Sequence, residues 1–350
     1  MKSRLLIGAV LLCVSLVMAF GTSFAQNQRT GTAAATELLI PVGARDMALG
    51  GSSIANSGGV EAIHWNPAGL GRLTHSAEAM FSTMSYLADT RMNYGAVAAK
   101  FGEFGVMGLS IKSLDFGDIP LTTVDDPEGL GGRVFSPTYV TLGLSYGRSL
   151  TDAISAGATA KLISERIDRV SASGFAFDVG LQYDGLVGVS GLQLGIAVKN
   201  IGPQISYDGG GLYRSAIVTE GDRPEQRYKV EAASFELPSL LEIGVGYTGK
   251  VQDNMVYTVN GVFMNNNLYE DEYRIGGEYG IKLAPVELYA RAGYGFVPRI
   301  KEAEDRIFRA TLGFGIVYDI SGGATLGVDF AYRQVELFDD NIAMALKLGF

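Results

Sequence analysis

Residues 342–350 have the sequence IAMALKLGF, in which large apolar residues alternate with small or charged ones. The large residues are Ile342, Met344, Leu346, Leu348 and Phe350. Successive side chains of a β-strand point to opposite faces. One face of this segment would therefore be apolar, and the other would carry Ala343, Ala345, Lys347 and Gly349. The pattern predicts a carboxy-terminal strand that ends at Phe350 and separates two unlike environments.

The same period of two recurs along most of the chain, from about Ala77 onward. About 14 segments have it, each near the length that crosses a bilayer when the strand is tilted. We place these strands at 77–86, 93–101, 105–114, 137–149, 152–166, 173–184, 192–200, 237–248, 254–264, 271–282, 286–296, 308–319, 324–333 and 342–350.

The connections between these segments alternate in length. Tight turns are predicted near Gly102, Thr151, Pro285 and Gly322, whereas 115–136 and 201–236 are long. Short periplasmic turns and long external loops are typical of outer-membrane barrels. A soluble sandwich is the alternative, but the second face of these strands is mostly small residues, too sparse in charge for a solvated surface. Because an open sheet edge is costly in lipid, the sheet should close.

The first 25 residues resemble a secretory signal peptide. Lys2 and Arg4 precede an apolar run from Leu5 to Phe20, and Ser23 and Ala25 fit a small-x-small cleavage site. The mature chain should therefore begin near Gln26; an uncleaved membrane anchor is the alternative. Removing 1–25 also removes Cys13, the only cysteine, so the mature chain could form no disulfide.

Charge and residue types exclude several classes of function. With 28 basic and 37 acidic residues the net charge is −9, and loss of Lys2 and Arg4 leaves 26 against 37, or −11. Binding to nucleic acid needs a basic face, so no nucleic-acid partner is expected. The only histidines are His64 and His75. No catalytic triad, metal motif or cofactor motif is found, so we expect neither an enzyme nor a bound metal or cofactor.

Residues 26–76 do not follow the period of two and are rich in small residues, including Gly43, Gly50, Gly51, Gly58 and Gly59. A barrel of about 14 strands is too wide for its side chains to fill. We therefore expect 26–76 to form a hatch that plugs the periplasmic end of a barrel formed by 77–350. The fold class predicted is all-β: a 14-stranded antiparallel transmembrane β-barrel with an amino-terminal hatch.

The hatch segment also resembles a known family. The runs 43–45 (GAR), 47–51 (MALGG) and 65–70 (WNPAGL) look like the start of PorV/PorQ-type proteins, which are similar to FadL-type barrels. FadL hatches carry an Asn-Pro-Ala motif, matched here by Asn66, Pro67 and Ala68. Membership of the PorV family implies a role in type IX secretion, in which the barrel binds the carboxy-terminal signals of secreted proteins together with other secretion components. Similarity to FadL implies instead the transport of hydrophobic molecules.

Two groups of residues are candidates for function. The hatch and gating candidates are Arg45, Trp65, Asn66, Pro67 and Ala68, each with a structural alternative: an ion pair for Arg45, wall packing for Trp65 and a plain turn for the motif. The candidates for charges inside the lumen are Arg274, Glu278, Glu287, Arg291, Asp329 and Lys347, with Arg309 and Arg333 on the same inward parity. Ion pairs that hold hatch and wall together are the alternative to a selectivity filter.

The sequence thus predicts a non-enzymatic protein of the outer membrane of a Gram-negative-type bacterium. Its expected partners are outer-membrane lipid, secreted cargo and secretion components. If the protein is instead a FadL-like transporter, a hydrophobic ligand is expected. An assembly barrel without a substrate is the third possibility.

Overall fold

A computed structural model describes residues 32–216, 225–298, 307–320 and 322–350. The predicted signal peptide, residues 1–25, lies outside the described residues. None of the helices in the described part is long and apolar enough to cross a membrane.

Fourteen long antiparallel strands in the described residues form one closed barrel. They are Ala77–Ser85 (β1), Arg91–Lys100 (β2), Val106–Asp115 (β3), Thr138–Ser149 (β4), Ile154–Ile167 (β5), Val170–Asp184 (β6), Leu192–Ile201 (β7), Leu240–Gln252 (β8), Met255–Asn266 (β9), Glu272–Leu283 (β10), Val286–Phe296 (β11), Phe308–Ile320 (β12), Ala324–Val335 (β13) and Asn341–Gly349 (β14). Each strand pairs with its neighbours in the chain, and β14 pairs with β1. The predicted fold class is confirmed, because the barrel has 14 antiparallel strands and no free edge.

The seam between the first and last strands extends to the last residue. Glu78 pairs with Gly349 and Met84 with Ala343. The amide of Phe350 donates to the carbonyl of Ala77 at 2.9 Å, so the terminal residue completes the closure.

Shorter elements connect the strands and form the hatch. The α-helices are Ala44–Ala48 (α1) and Ala62–Trp65 (α2). The 3-10 helices are Thr36–Leu39, Gly59–Glu61, Pro67–Arg72, Leu87–Asp89, Gly102–Phe104, Leu186–Gly188 and Gly210–Leu212. The short strands are Ile119–Pro120, Val134–Phe135, Ile205–Ser206, Asp208–Gly209, Tyr213–Ala216, Gln226–Lys229 and Ser234–Phe235.

The two faces of the barrel wall differ as the alternation predicts. On β14, Met344 is 55% exposed and Leu346 44%, whereas Ala343 and Ala345 are buried. The apolar row therefore faces outward, toward lipid in a membrane, and the small residues face the lumen.

One predicted outward residue is placed wrongly by strict alternation. A β-bulge inserts one extra residue in β12 between Phe308 and Thr311, so the alternation changes sense there. Phe308 was expected in the lipid-facing row, but its ring lies 3.8 Å from the guanidinium carbon of Arg333 in the lumen. Arg309, expected in the lumen, instead forms a 2.8 Å ion pair with Glu336, just beyond β13.

The connections divide the barrel into two ends. The short-turn end carries the turns at 101–105, 150–153, 284–285 and 322–323, and the long-loop end carries 116–137 and the described parts of 202–239. The alternation is incomplete, because β5 and β6 are joined at the long-loop end by a two-residue turn, Asp168 and Arg169. Asp168 has a positive φ of 48°, as tight turns often require.

The hatch extends through the whole lumen. At the long-loop end, the amide of Ala34 donates to the carbonyl of Glu236 at 3.1 Å, and Leu38 belongs to an apolar cluster with Ile205 and Leu237. At the short-turn end, the Ser149 hydroxyl donates to the carbonyl of Gly71 at 3.0 Å. The described part of the hatch thus spans more of the barrel than the predicted plug at one end, because Ala34 and Leu38 contact the 202–239 connection.

Candidate functional site

Glycines on the inward face of the wall are in close contact with the backbone of the hatch. A Cβ atom on Gly157 of β5 would lie 2.2 Å from the carbonyl oxygen of Pro67. Six strands further along the barrel wall, a Cβ atom on Gly293 of β11 would lie 2.2 Å from the carbonyl carbon of Leu49. A real side chain at either position would overlap the hatch backbone. The hatch is therefore in direct contact with separate parts of the wall.

The Asn-Pro-Ala motif joins the hatch to strands β6 and β7. Asn66 is fully buried, and its side-chain oxygen accepts from the amide of Ala68 at 3.2 Å, which caps the 3-10 helix Pro67–Arg72. Its side-chain amide donates to Ile54 within the hatch at 2.8 Å and makes longer bonds to the wall carbonyls of Leu181 (3.3 Å) and Ile196 (3.4 Å). Proline suits the first position of this helix because its missing N–H needs no partner there. The contacts are those of an anchor, and a gating role for the motif stays a prediction.

Trp65 is buried inside the hatch. Its indole N–H donates to the carbonyl of Val42 at 3.1 Å. Its ring lies close to Gly51, where an added Cβ would meet a ring carbon at 2.9 Å. The ammonium group of Lys199, on β7, lies 5.6 Å from the ring centroid, within the range of a cation–π contact. Trp65 therefore packs hatch segments together and also contacts the wall.

Arg45 links the hatch to a chain of charges on the wall. It donates to both carboxylate oxygens of Glu278, at 3.2 and 3.3 Å, and to Asp46 at 3.1 Å. Glu278 also accepts from Arg291 at 2.6 Å, and Arg291 donates to Asp329 at 2.6 Å. The structure thus brings four of the residues singled out from the sequence into one ion-pair network across β10, β11 and β13.

Two acidic groups of the hatch complete this network. Lys347 of β14 approaches Glu61 at 3.4 Å, and Arg45 lies 3.9 Å from the same carboxylate. Burial alone would raise the pKa of Glu61, but Lys347 and Arg45 hold that pKa below its usual range. Burial raises the pKa of Asp46 to about 6, against the opposing effect of Arg45.

The two remaining predicted charges lie apart from this network. Arg274 pairs with Glu272 at 2.8 Å and with Glu242 at 3.5 Å. Glu287 accepts from Lys282 at 2.7 Å and from the hydroxyl of Tyr289, beside the turn at 284–285. Glu287 therefore faces the short-turn end and does not touch the hatch network.

Sequence reasoning missed further charged pairs inside the barrel. Lys161 of β5 lies 2.5 Å from Asp178 of β6, and Lys199 of β7 lies 2.7 Å from Glu242 of β8. Each of these residues has the inward parity of its strand, so the alternation that identified Glu278 could have identified them. The acids of the hatch, Asp46 and Glu61, had no such signal, because the hatch has no regular period.

The histidines show no arrangement suited to catalysis. His64 contacts the rings of Trp65 and Tyr94, and burial together with the nearby Lys112 lowers its pKa well below the usual range. His75 contacts Glu78 at 3.0 Å and Thr325 at 3.2 Å, which ties the end of the hatch to β1 and β13. Within the described ranges, no group of three His, Cys, Asp or Glu side chains could hold a metal ion.

Two carboxyl groups meet where the hatch reaches the long-loop end. Glu37 is buried, and burial together with the neighbouring Glu165 raises its pKa to about 8 from an ordinary value of 4.5. Lys112 opposes this shift. Glu37 keeps its proton up to about pH 8 while the segment is packed, but would lose it near pH 4.5 if the segment were released. The packed segment is therefore most stable below about pH 4.5, and this added stability is lost as the pH rises through about 8.

The closed barrel and its packed lumen define the class of protein as a plugged outer-membrane β-barrel. The "CymD monoaromatic hydrocarbon channel" has a similar structure, with a TM-score of 0.59 and 13% identity over 89% of this chain and 98% of that chain. The toluene transporter TodX of P. putida gives 0.57 and 14% identity over 88% and 98%. A Pseudomonas aeruginosa FadL homologue gives 0.50 and 12% over 88% and 98%. At these identities the likeness establishes the fold alone.

The sequence identifies the family more closely. The family described as "Type IX secretion system protein PorV" matches residues 23–220, which is more than half of the chain. The chain therefore belongs to the PorV family, and it is a protein of the outer membrane of a Gram-negative-type bacterium. No curated protein sequence matches the chain.

Proposed function

We propose that this barrel is a non-enzymatic component of type IX secretion that binds the carboxy-terminal signals of secreted proteins. The match to the PorV family over residues 23–220 is the observation that carries the proposal, because that region includes the whole hatch and the first seven strands. Outer-membrane barrels have short periplasmic turns and long external loops. In that orientation the short-turn end of this barrel faces the periplasm, and the long-loop end presents the binding surface to the outside.

The packed lumen supports binding over conduction. The hatch backbone contacts wall glycines on β5 and β11, and the ion pairs of Arg45 join it to β10. A plug held in this way leaves the loops and the outer mouth as the surfaces on which a polypeptide can dock. The lumen itself need not open for such binding.

The second candidate is transport of hydrophobic small molecules, the function given by the names of the similar channels CymD and TodX. It would require a continuous apolar path through the lumen. The inward faces here instead carry charged pairs such as Lys161 with Asp178 and Arg291 with Asp329. An apolar groove of about 600 Å³ does occur, but Phe81, Val97 and Leu346 place it on the outward face of the wall.

Deletion of the gene tests the proposal. Cargo that carries the carboxy-terminal signal should then remain in the periplasm, and surface protease should no longer reach it. The wild-type gene should restore surface delivery. So should a Gly261→Ala variant, because nothing lies within 4 Å of a Cβ at Gly261. Surface delivery that continues unchanged in the deletion strain would contradict the proposal. Loss of toluene uptake with normal delivery would favour the transport alternative.

A further inference from the structure

The lumen at the long-loop end contains a buried arginine beside a buried asparagine. Arg333 of β13 and Asn341 of β14 are directly paired across the two strands, so both side chains project to the same, inward face. Arg333 is 9% exposed and Asn341 is fully buried. Thr311, paired with Arg333 on its other side, donates to the carbonyl of Ala48 at 2.9 Å, so the end of helix α1 lies directly beneath this pair.

Both side chains have polar atoms without a hydrogen-bond partner in the described residues. Within 32–216, 225–298, 307–320 and 322–350, the Nε and Nη2 atoms of Arg333 and both polar side-chain atoms of Asn341 are buried without a hydrogen bond. A buried cation without an ion pair is costly, and so is a buried amide without hydrogen bonds. A purely structural role would not explain why two such groups lie side by side. Buried polar groups nearly always have hydrogen-bond partners, so two adjacent groups without one point to a partner outside the chain.

Nearby carboxylates already have other cations. Glu336, just beyond β13, pairs with Arg309 at 2.8 Å. Glu272, at the start of β10, pairs with Arg274 at 2.8 Å. Arg333 therefore remains as a cation whose charge no ion pair in the described residues neutralises.

Two aromatic rings lie close to the Arg333 guanidinium. The ring of Phe308 lies 3.8 Å from the guanidinium carbon, and the ring of Tyr86 lies 6.0 Å from it. The Phe308 ring is at stacking distance, and a ring stacked on a guanidinium does not use its N–H groups, which can bind a carboxylate with two hydrogen bonds. Phe308 adjoins the bulge of β12, and Tyr86 directly follows β1, so both rings lie at strand ends, toward the outer mouth of the lumen.

We propose that Arg333 and Asn341 form a binding site for a peptide carboxylate at the outer mouth of the lumen. The Arg333 fork binds the carboxylate, and the Asn341 amide, which offers one donor group and one acceptor, pairs with the adjacent peptide group. The peptide group decides between sources of carboxylate, because a fatty acid has nothing to pair with Asn341. This inference rests on the proposed function, since it supplies the chemistry by which the barrel recognises secreted polypeptides.

The test uses the full-length mature barrel in detergent and three small probes. They are N-acetylphenylalanine, its carboxamide, and decanoate, with binding followed by saturation-transfer NMR. The carboxylate probe should bind at least about tenfold more tightly than the carboxamide, as expected for loss of a charge-assisted bidentate pair. Arg333→Gln should abolish this preference, and Arg333→Lys should reduce it. Arg91→Gln is the matched control, because it removes an exposed cation at the same end of the barrel.

Several outcomes would overturn the site. They are equal affinity for acid and carboxamide, a preference that persists in Arg333→Gln, or an equal loss in Arg91→Gln. Decanoate that binds through Arg333 more tightly than N-acetylphenylalanine would assign the site to fatty acids and overturn the peptide assignment. Arg333→Gln should fold, because it removes an uncompensated buried charge; retained heat-dependent mobility on gels verifies this. If an isolated cargo signal domain fails to bind the wild-type barrel, the proposed function fails, and the probe comparison still decides the site.

Discussion

Loss of the Glu278 carboxylate should release the hatch from the wall. Glu278 accepts bonds from Arg45 at 3.2 and 3.3 Å and from Arg291 at 2.6 Å. Glu278→Gln preserves the volume of the side chain but leaves two largely buried guanidinium groups to share one neutral acceptor. Arg291 keeps Asp329, and Arg45 keeps Asp46, so part of the network survives.

The expected cost lies near the lower end of the range for breaking a buried ion pair, about 3–5 kcal/mol. The free energy of hatch opening should fall by that amount if the broken pair forms only while the hatch is seated. A loss of about 3 kcal/mol raises the open population by about 100-fold. Opening should remain a local event, because the barrel ladder does not depend on Glu278.

A single introduced thiol measures this opening, since the only natural cysteine is Cys13 in the predicted signal peptide. Ser53 is fully buried in the hatch, so Ser53→Cys should react with a water-soluble maleimide only when the hatch opens. Glu278→Gln should accelerate labelling by about two orders of magnitude. Glu287→Gln is the control, because its partner Lys282 is half exposed and such pairs contribute about 0–1 kcal/mol. Equal labelling rates in the two variants would refute the account of the hatch network.

Three further predictions concern the anchor and the long-loop end of the hatch. Gly180→Ala places a Cβ 1.9 Å from the Asn66 side-chain oxygen, so it should displace the anchor and speed Ser53→Cys labelling, whereas Gly261→Ala should not. Asn66→Ala should weaken the seated hatch by about 1–3 kcal/mol through the lost cap and unpaired wall carbonyls, measured by the same labelling. Raising the pH from 6 to 9 should cost the segment around Glu37 about 2–3 kcal/mol of local stability, seen as faster amide exchange of Leu38 after correction for intrinsic rates. A Glu37→Gln variant should lose this pH dependence, and a pH response that persists in it would contradict the assignment.

The barrel could be predicted from the sequence because alternation is a local property of each strand. The predicted strand 286–296 coincides with Val286–Phe296, and 342–350 is shifted by one residue relative to Asn341–Gly349. Phe308 and Arg309 were misplaced because one bulged residue reverses the alternation, and no sequence signal marked the bulge. The path of the hatch through the whole lumen was also unpredictable, since the contacts of Leu38 with the 202–239 connection are long-range.

The candidate site was predictable to the extent that its residues lie on strands. Glu278, Arg291 and Asp329 have inward parity, and the structure joins them. Their partners Asp46 and Glu61 lie in a segment without a period, where sequence offers no indication of direction. Pairing depends on which wall strands the hatch faces, and only the closed barrel determines that.

Direct binding of a cargo signal domain to the purified barrel tests the central claim most directly. The barrel is reconstituted in lipid nanodiscs and immobilised, and the carboxy-terminal signal domain of a protein secreted by the same cell is titrated over it. Saturable binding is expected, and an excess of the same unlabelled domain should compete with it. Binding no stronger than that of a folded domain without the signal would contradict the claim that this barrel recognises secreted proteins.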